Sequence, residues 1–370
     1  MIAAGGTGGH VYPALAVTEA LLARRADVSL SFVGSVGGFE RPLLDEAGVS
    51  FEHHDEVRAG PLHGVGVKQL LISLVQTFAG TIQALALVRR RKPDVIFLTG
   101  GWVGLPVALA GWLLRVPSLI YLPDIEPGLA IKLLRHFVNR VAVTAEDSRT
   151  YFRSGQAVVT GYPTRESLRK ATRAEAVAHF GLDPAKQTLL VWGGSRGART
   201  INNALLDTLP DILRTGIQVI HVTGTLDWEQ IEARRATLAR EYPDLIGAYH
   251  PFSYLHDDVG LALAAADLAV SRSGASVLGE YPLFGLPSIL VPYPYAWRYQ
   301  KVNADYLAER GAAIVMKDEA MANELCPTVA ALFEQTDRLT EMQAKAAALA
   351  QPDGAWNVAR ALIDLAGERA

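Results

Sequence analysis

Cysteine is nearly missing from this chain of 370 residues, with Cys326 the only one. An internal disulfide and a cysteine-built zinc site are both excluded, and a reducing cytosol is the natural setting. Net charge is small as well, at −3 with histidine neutral, so bulk charge gives no footprint for nucleic acid. The start of the chain has no basic region, and its apolar stretch from Met1 to Ala4 stops in glycine, unlike a secretory leader. The most apolar longer stretch, 102–122, is interrupted by Pro106, Arg115 and Pro117, which disfavours a spanning helix. A soluble protein, or one resting on a membrane surface, is expected.

Several nucleotide motifs are missing too. There is no Gly-x-x-x-x-Gly-Lys-Ser/Thr, so P-loop kinases are excluded. The nearest approach to the dinucleotide fingerprint is Gly6-Thr7-Gly8-Gly9-His10-Val11, which ends in valine. The second candidate strand ends Phe32-Val33-Gly34-Ser35 without the acidic residue that binds a ribose. NAD binding is therefore disfavoured. No Asp-x-Asp metal motif occurs, Asp124-Ile125-Glu126 being the nearest.

Half the residues are hydrophobic and 20% are charged, which fits a folded protein, and the length suggests two domains. Short apolar runs alternate with amphipathic stretches. Candidate strands are 28–34, 95–100, 118–121, 140–144 and 157–160, then 188–192, 218–223, 268–271, 288–292 and 313–316. Candidate helices include 13–24, 68–91, 199–213, 228–241, 299–310 and 355–366. This alternation argues for α/β architecture with parallel sheets covered by helices. The break falls near Gly161-Tyr162-Pro163, and no low-complexity linker follows. Two Rossmann-like, doubly wound domains facing across a cleft are expected: 1–161, then 162–350, with a final segment 351–370 returning to the first. Only four residues precede the first glycine loop, short for an opening strand, which leaves room for residues upstream of Met1.

Each half opens with a glycine loop between strand and helix: Ala4-Gly5-Gly6-Thr7-Gly8-Gly9-His10, and Trp192-Gly193-Gly194-Ser195-Arg196-Gly197-Ala198. Glycine permits close backbone approach, and the following helix N-terminus favours an anion such as phosphate. Either loop alone could be a tight structural turn; two at matched places make that reading weaker. A third anion signal is Ser271-Arg272-Ser273-Gly274-Ala275-Ser276, predicted to open a helix whose second turn carries Glu280. A glutamate there accepts hydrogen bonds from ribose hydroxyls, or is simply a solvated helix residue.

With these motifs in order along nearly the whole chain, the sequence resembles the MurG glycosyltransferases. The resemblance rests on Gly5-Gly6-Thr7-Gly8-Gly9-His10 with Pro13-Ala14-Leu15-Ala16, and on Gly193-Gly194-Ser195-Arg196-Gly197-Ala198-Arg199. It also rests on Ser271 to Ala275 with Glu280, Gly285-Leu286-Pro287 and Val291-Pro292, and on Gln300 with Asn303-Ala304. Gly161-Tyr162-Pro163-Thr164-Arg165 is similar to the family's Gly-Asn-Pro-Val-Arg. The resemblance implies a GT-B fold, UDP-N-acetylglucosamine as donor, a lipid-linked muramyl-pentapeptide as acceptor, inversion at the anomeric carbon and no essential metal or cofactor. It implies peptidoglycan synthesis at the cytoplasmic face of the cell membrane, with peripheral attachment. By position it puts Thr7, Gly8 and Gly9 near the reacting sugar and phosphate, with Asp124, Arg165 and Ser195 near the donor. Ser273, Gly274, Ala275, Ser276, Val277, Leu278, Gly279 and Glu280 would line its phosphates and ribose. Gln300 would touch its sugar, and Leu255 or His256 its uracil.

The chain departs from the family at Tyr121-Leu122-Pro123-Asp124, where His-Glu-Gln-Asn is common, and at Ile131, where asparagine is usual. Asp124 and Glu126 are the replacement candidates. This departure keeps open a related UDP-sugar transferase with another lipid acceptor, an epimerase or hydrolase of the same architecture, and a sugar-nucleotide-binding subunit needing a partner. Sugar transfer needs a base, and His10 at the loop–helix junction is the leading candidate, since a helix N-terminus disfavours imidazolium. Asp124 and Glu126 are its rivals, and a purely hydrogen-bonding His10 stays open. The apolar-rich helix 68–91 runs into Arg89-Arg90-Arg91-Lys92. Most of its apolar face is expected to pack on the sheet, with bilayer contact a minor addition.

Overall fold

The computed structural model describes residues 1–6, 8–38, 40–61, 64–194, 197–295 and 298–367. The chain divides into two compact units: Met1–Glu166 with Gln351–Ala370, and Ser167–Ala350. The division falls after Glu166 and not at Gly161, so Arg165 belongs to the first unit.

The first unit holds seven strands: β1 (Ile2–Ala3), β2 (Ser31–Ser35), β3 (His53–Val57), β4 (Ile96–Leu98), β5 (Ser118–Leu122), β6 (Arg140–Val143) and β7 (Ala157–Val159). They pair in parallel in the order β3-β2-β1-β4-β5-β6-β7. The second unit holds β8 (Thr188–Trp192), β9 (Gln218–Val222), β10 (Tyr249–Phe252), β11 (Leu268–Ser271), β12 (Ser288–Leu290) and β13 (Ala313–Val315). Their order, also parallel, is β10-β9-β8-β11-β12-β13. Central strands such as Ile96–Leu98 and Ser118–Leu122 are buried throughout, as a sheet with helices on both faces requires. Each sheet winds outward one way, then returns to grow the other way. The chain direction therefore switches between β1 and β4, and again between β8 and β11, where ligands of such sheets bind.

Two strands escape a reading for apolar runs, and both lie on an edge. β3 is His53-His54-Asp55-Glu56-Val57 with only Val57 buried, and β10 is Tyr-His-Pro-Phe with only Tyr249 buried. Half-solvated edges tolerate polar residues that a central strand rejects. The stretch 102–122 resolves into the helix Gly104–Leu113 and the central strand β5. The first helix, Gly8–Leu22, begins five residues before Pro13, because Gly8-Gly9-His10 already form its opening turn.

The helix Val67–Arg91 overturns the expectation for its apolar face. Its buried residues are mostly small: Ser73, Thr77, Gly80 and Ala84, joined by Leu87 and Val88. Leu71, Leu74, Val75, Phe78 and Ile82 are exposed. The reason is close approach. A Cβ at Gly80 would stand 1.8 Å from the Arg58 carbonyl oxygen, so this face must be small, and the large side chains are turned outward. By length and composition the helix is long enough to cross a membrane, with 33% of its most apolar window buried. Its basic end is partly neutralised, since Arg90 and Arg91 both pair with Asp55 at 3.1 Å.

The last helix, Gly354–Gly367, packs on Gly8–Leu22 within the first unit. Asn357 donates its side-chain amide to the Thr160 carbonyl at 3.1 Å, and the Arg24 guanidinium lies 4.1 Å over the Trp356 ring.

Candidate active site

In the first unit the carboxyl ends of β1 and β4 present Gly5-Gly6 and Gly100-Gly101 side by side. A Cβ on Gly101, at φ +79°, would lie 2.2 Å from the Gly5 carbonyl oxygen. Gly8, Gly9 and His10 form the first helical turn, so their N–H groups belong to the set that no helix carbonyl satisfies. The His10 Nδ1 stands 2.9 Å from the Gly5 carbonyl oxygen. A carbonyl can only accept, so Nδ1 carries the proton and Nε2 holds the basic lone pair. Burial pulls the imidazole below its ordinary value, and the bond to Gly5 offsets this in part. The ring is thus neutral at pH 7, chiefly because of burial. Thr7 lies outside the described residues.

Asp124 and Glu126 follow β5, two strands from β1, which at the usual strand spacing is roughly 10 Å away. They share the carboxyl end of the sheet with His10 but sit on a separate loop. That loop is pinned from below. The Thr144 hydroxyl donates to the Pro123 carbonyl, and the Ser148 hydroxyl to the Ile125 carbonyl, both at 2.8 Å. Tyr121, fully buried, shares a 2.8 Å hydrogen bond with Thr144. Glu126 is buried and accepts from Lys132 at 3.4 Å, while Asp124 is half-buried. The Arg165 guanidinium stacks 4.9 Å over the Tyr12 ring in this same unit.

In the second unit a cavity of about 760 Å³ opens at the β8–β11 switch point. Gly193, Gly194, Gly274, Ser276, Val277, Glu280 and Gln300 are among its lining residues. Ser195 lies outside the described residues. The third motif forms no continuous helix: Ala275–Leu278 is a 3₁₀ turn, and a short α segment, Glu280–Leu283, starts at Glu280 itself. Pro282 is the cause, because it lacks the N–H that would bond to Leu278. Glu280 therefore stands in the first turn of its segment and not in the second turn of a longer helix. Ser273 is buried and donates to the Gln300 carbonyl at 2.7 Å, and Asn303 donates to the Ser273 carbonyl at 3.2 Å. The Tyr293 N–H occupies the Gln300 side-chain oxygen at 2.8 Å, which leaves the Gln300 amide to donate. Ala275 and Gly279 are half-buried and Leu278 is buried. Leu255 is buried and His256 exposed in the loop after β10, and neither is among the cavity's lining residues.

Two clusters here tie motif residues to partners that the motifs do not contain. Arg272 pairs with Asp318, donates to the Val291 carbonyl at 3.2 Å and stacks 5.2 Å from the Tyr293 ring. A second network runs from Tyr249 through His221 and Asn202 toward Asp227 and Arg199. His221 bonds Tyr249 at 2.8 Å and Asn202 at 3.0 Å, and Arg199 meets Asp227 at 2.7 Å. Burial pushes His221 down to about 3, so it is neutral. The one available signal was a histidine inside the buried run Gln218–Val222, where a polar group must find partners.

Comparison with known proteins gives two family matches: the glycosyltransferase family 28 N-terminal domain over residues 1–143, and the family 28 C-terminal domain over residues 188–358. A Roseiflexus protein is 39% identical across 96% of this chain and 92% of its own. One from Chlorobium luteolum is 39% identical across 100% and 99%. Both are named UDP-N-acetylglucosamine–N-acetylmuramyl-(pentapeptide) pyrophosphoryl-undecaprenol N-acetylglucosamine transferase. The crystal structure of Acinetobacter baumannii MurG superposes with a TM-score of 0.75 at 26% identity, covering 98% of this chain and 99% of that one. A UDP-N-acetylglucosamine 2-epimerase from Neisseria meningitidis has a TM-score of 0.70 at 12% identity, covering 98% and 99%, a likeness of fold alone.

Proposed function

This chain belongs to the MurG family of glycosyltransferases, and on that premise we propose how its residues move N-acetylglucosamine from UDP-N-acetylglucosamine to the lipid-linked muramyl-pentapeptide acceptor of peptidoglycan synthesis. The relatives' shared name over nearly the whole chain supports the reaction, and two doubly wound units agree with the GT-B fold. The observation that carries the chemistry is His10, whose bond to Gly5 fixes the proton on Nδ1.

Nε2 of His10 takes the proton of the acceptor hydroxyl. The hydroxyl oxygen then forms a bond to the anomeric carbon from the face opposite UDP, and the bond from that carbon to the phosphate oxygen breaks. Base assistance of this kind is typically worth about 10²–10⁴-fold. UDP leaves within the second unit's cavity, its diphosphate against the N–H groups at Gly274 to Ser276 and its ribose against Glu280. The Gln300 amide donates to a sugar hydroxyl. Backbone donors replace a metal in this scheme. Asp124 and Glu126 hold the acceptor.

The outward face of Val67–Arg91 is the membrane contact, lying in the interface while the small-residue face stays packed on its own unit. In this reading the protein sits peripherally on the cytoplasmic face of the membrane. Incubating the purified protein with labelled donor and the lipid-linked acceptor tests the reading. A single β-linked disaccharide product from the α-linked donor is expected. A retained configuration, or transfer to other lipids in preference, would overturn it.

A further inference from the structure

Behind the first glycine loop lies a carboxylate that the reaction scheme does not use. Glu40 follows β2 and is 3% exposed. Its Oε1 accepts a hydrogen bond from the Gly6 N–H at 3.1 Å. Room for it is built into the backbone. A Cβ on Gly38 would stand 1.8 Å from Glu40 Oε2, and one on Gly5 would stand 2.7 Å from Oε1. Burying a carboxylate is costly unless its oxygens are hydrogen-bonded, so a cradle of this kind calls for a purpose.

The Gly6 N–H and the Gly5 carbonyl belong to one peptide unit. Glu40 accepts from its nitrogen end, and His10 donates to its oxygen end at 2.9 Å. Hydrogen bonds in series polarise one another: an anion drawing on the N–H increases the negative charge on the C=O, which then binds the imidazole Nδ1–H more strongly. We propose that Glu40 is a positioning residue for sugar transfer, acting through the Gly5–Gly6 peptide to hold His10 in the Nδ1–H tautomer with its Nε2 basic and correctly aimed. The arrangement does the work of a carboxylate bonded directly to a catalytic histidine, with one peptide group interposed. Replacing Glu40 with glutamine keeps the shape and an acceptor oxygen but removes the charge that polarises the peptide.

This inference rests on His10 being the base, and a double-mutant cycle separates the two. kcat and donor KM with the lipid-linked acceptor are measured for wild type, Glu40→Gln, His10→Ala and the double variant, with thermal midpoints alongside. Glu40→Gln is expected to lower kcat by about 10–100-fold, the loss typical when a metal-bound histidine loses its outer partner, with donor KM within about twofold. In the His10→Ala background it should cost nothing further, because its only route to the reaction is gone. Equal losses in both backgrounds, or none in the wild type, would overturn the role of Glu40 while leaving His10 as base. A His10→Ala enzyme with full kcat would overturn the base reading, and this inference with it. If Glu40→Gln does not fold, Gly38→Ala, which displaces the carboxylate, is read in the same cycle with the same outcomes.

Discussion

Substituting Gly101 by alanine tests the geometry of the first unit at its tightest point. The new Cβ would stand 2.2 Å from the Gly5 carbonyl oxygen, where ordinary contact begins at 3.4 Å, so one group must retreat by about 1 Å. Gly101 also sits at φ +79°, which costs an alanine roughly 1–2 kcal/mol. The overlap adds about 1–3 kcal/mol, as overpacking usually does. The functional cost comes from what the displaced oxygen holds, since it is the acceptor for His10 Nδ1. A misplacement of about 1 Å at a reacting group costs on the order of 100-fold. Gly37→Ala is the control: its φ is +68° and nothing lies within 4 Å, so only backbone strain applies. The assay pairs thermal unfolding with kcat at saturating donor. Gly101→Ala should lose about 2–5 kcal/mol of stability and about 100-fold in kcat, whereas Gly37→Ala loses only the backbone cost of about 1–2 kcal/mol and keeps its kcat. If the two variants behave alike in both measurements, the close approach of the β1 and β4 loops is not what holds His10.

Further expectations follow from other parts of the molecule. Leu71→Ser with Phe78→Ser removes two side chains that are 60% and 70% exposed; at about 1–2 kcal/mol each for transfer to an apolar phase, binding to anionic vesicles in a sedimentation assay should fall by at least tenfold with the thermal midpoint unchanged, and unchanged binding would remove this helix as the membrane contact. Glu280→Ala should raise donor KM by about 10–100-fold through loss of charged hydrogen bonds to ribose, and an unaltered donor KM would clear Glu280 of that role. His221, held down to about 3 against an ordinary 6.5, binds a proton more readily when unfolded. Its contribution to stability is thus complete above about pH 6.5 and declines by up to about 1.4 kcal/mol per pH unit as pH falls toward 3; denaturant titrations of wild type and His221→Gln between pH 4 and 7 should show that slope only in the wild type, and parallel slopes would contradict it.

The alternation of apolar runs and amphipathic stretches made the doubly wound fold legible, because central parallel strands are buried on both faces and cannot hide among polar residues. The edge strands β3 and β10 lack that constraint and were missed. The glycine loops were legible because close backbone approach narrows the residue choice, and Glu280 lies in the lining of the second unit's cavity. Glu40 was not, since its partner is a backbone N–H 34 positions away in sequence and no side-chain pattern records such a bond. The face of Val67–Arg91 was misjudged for a related reason: apolar periodicity finds a stripe of large residues, but the interior here requires Ser73, Thr77, Gly80 and Ala84.

The most direct measurement of the central claim is UDP release from UDP-N-acetylglucosamine by the purified protein, with and without the lipid-linked muramyl-pentapeptide, in the presence of a chelator. Release that requires the acceptor and survives chelation is expected, because the proposed mechanism draws both base and leaving-group stabilisation from the chain itself. Release without acceptor, no release with it, or loss on chelation would contradict the account.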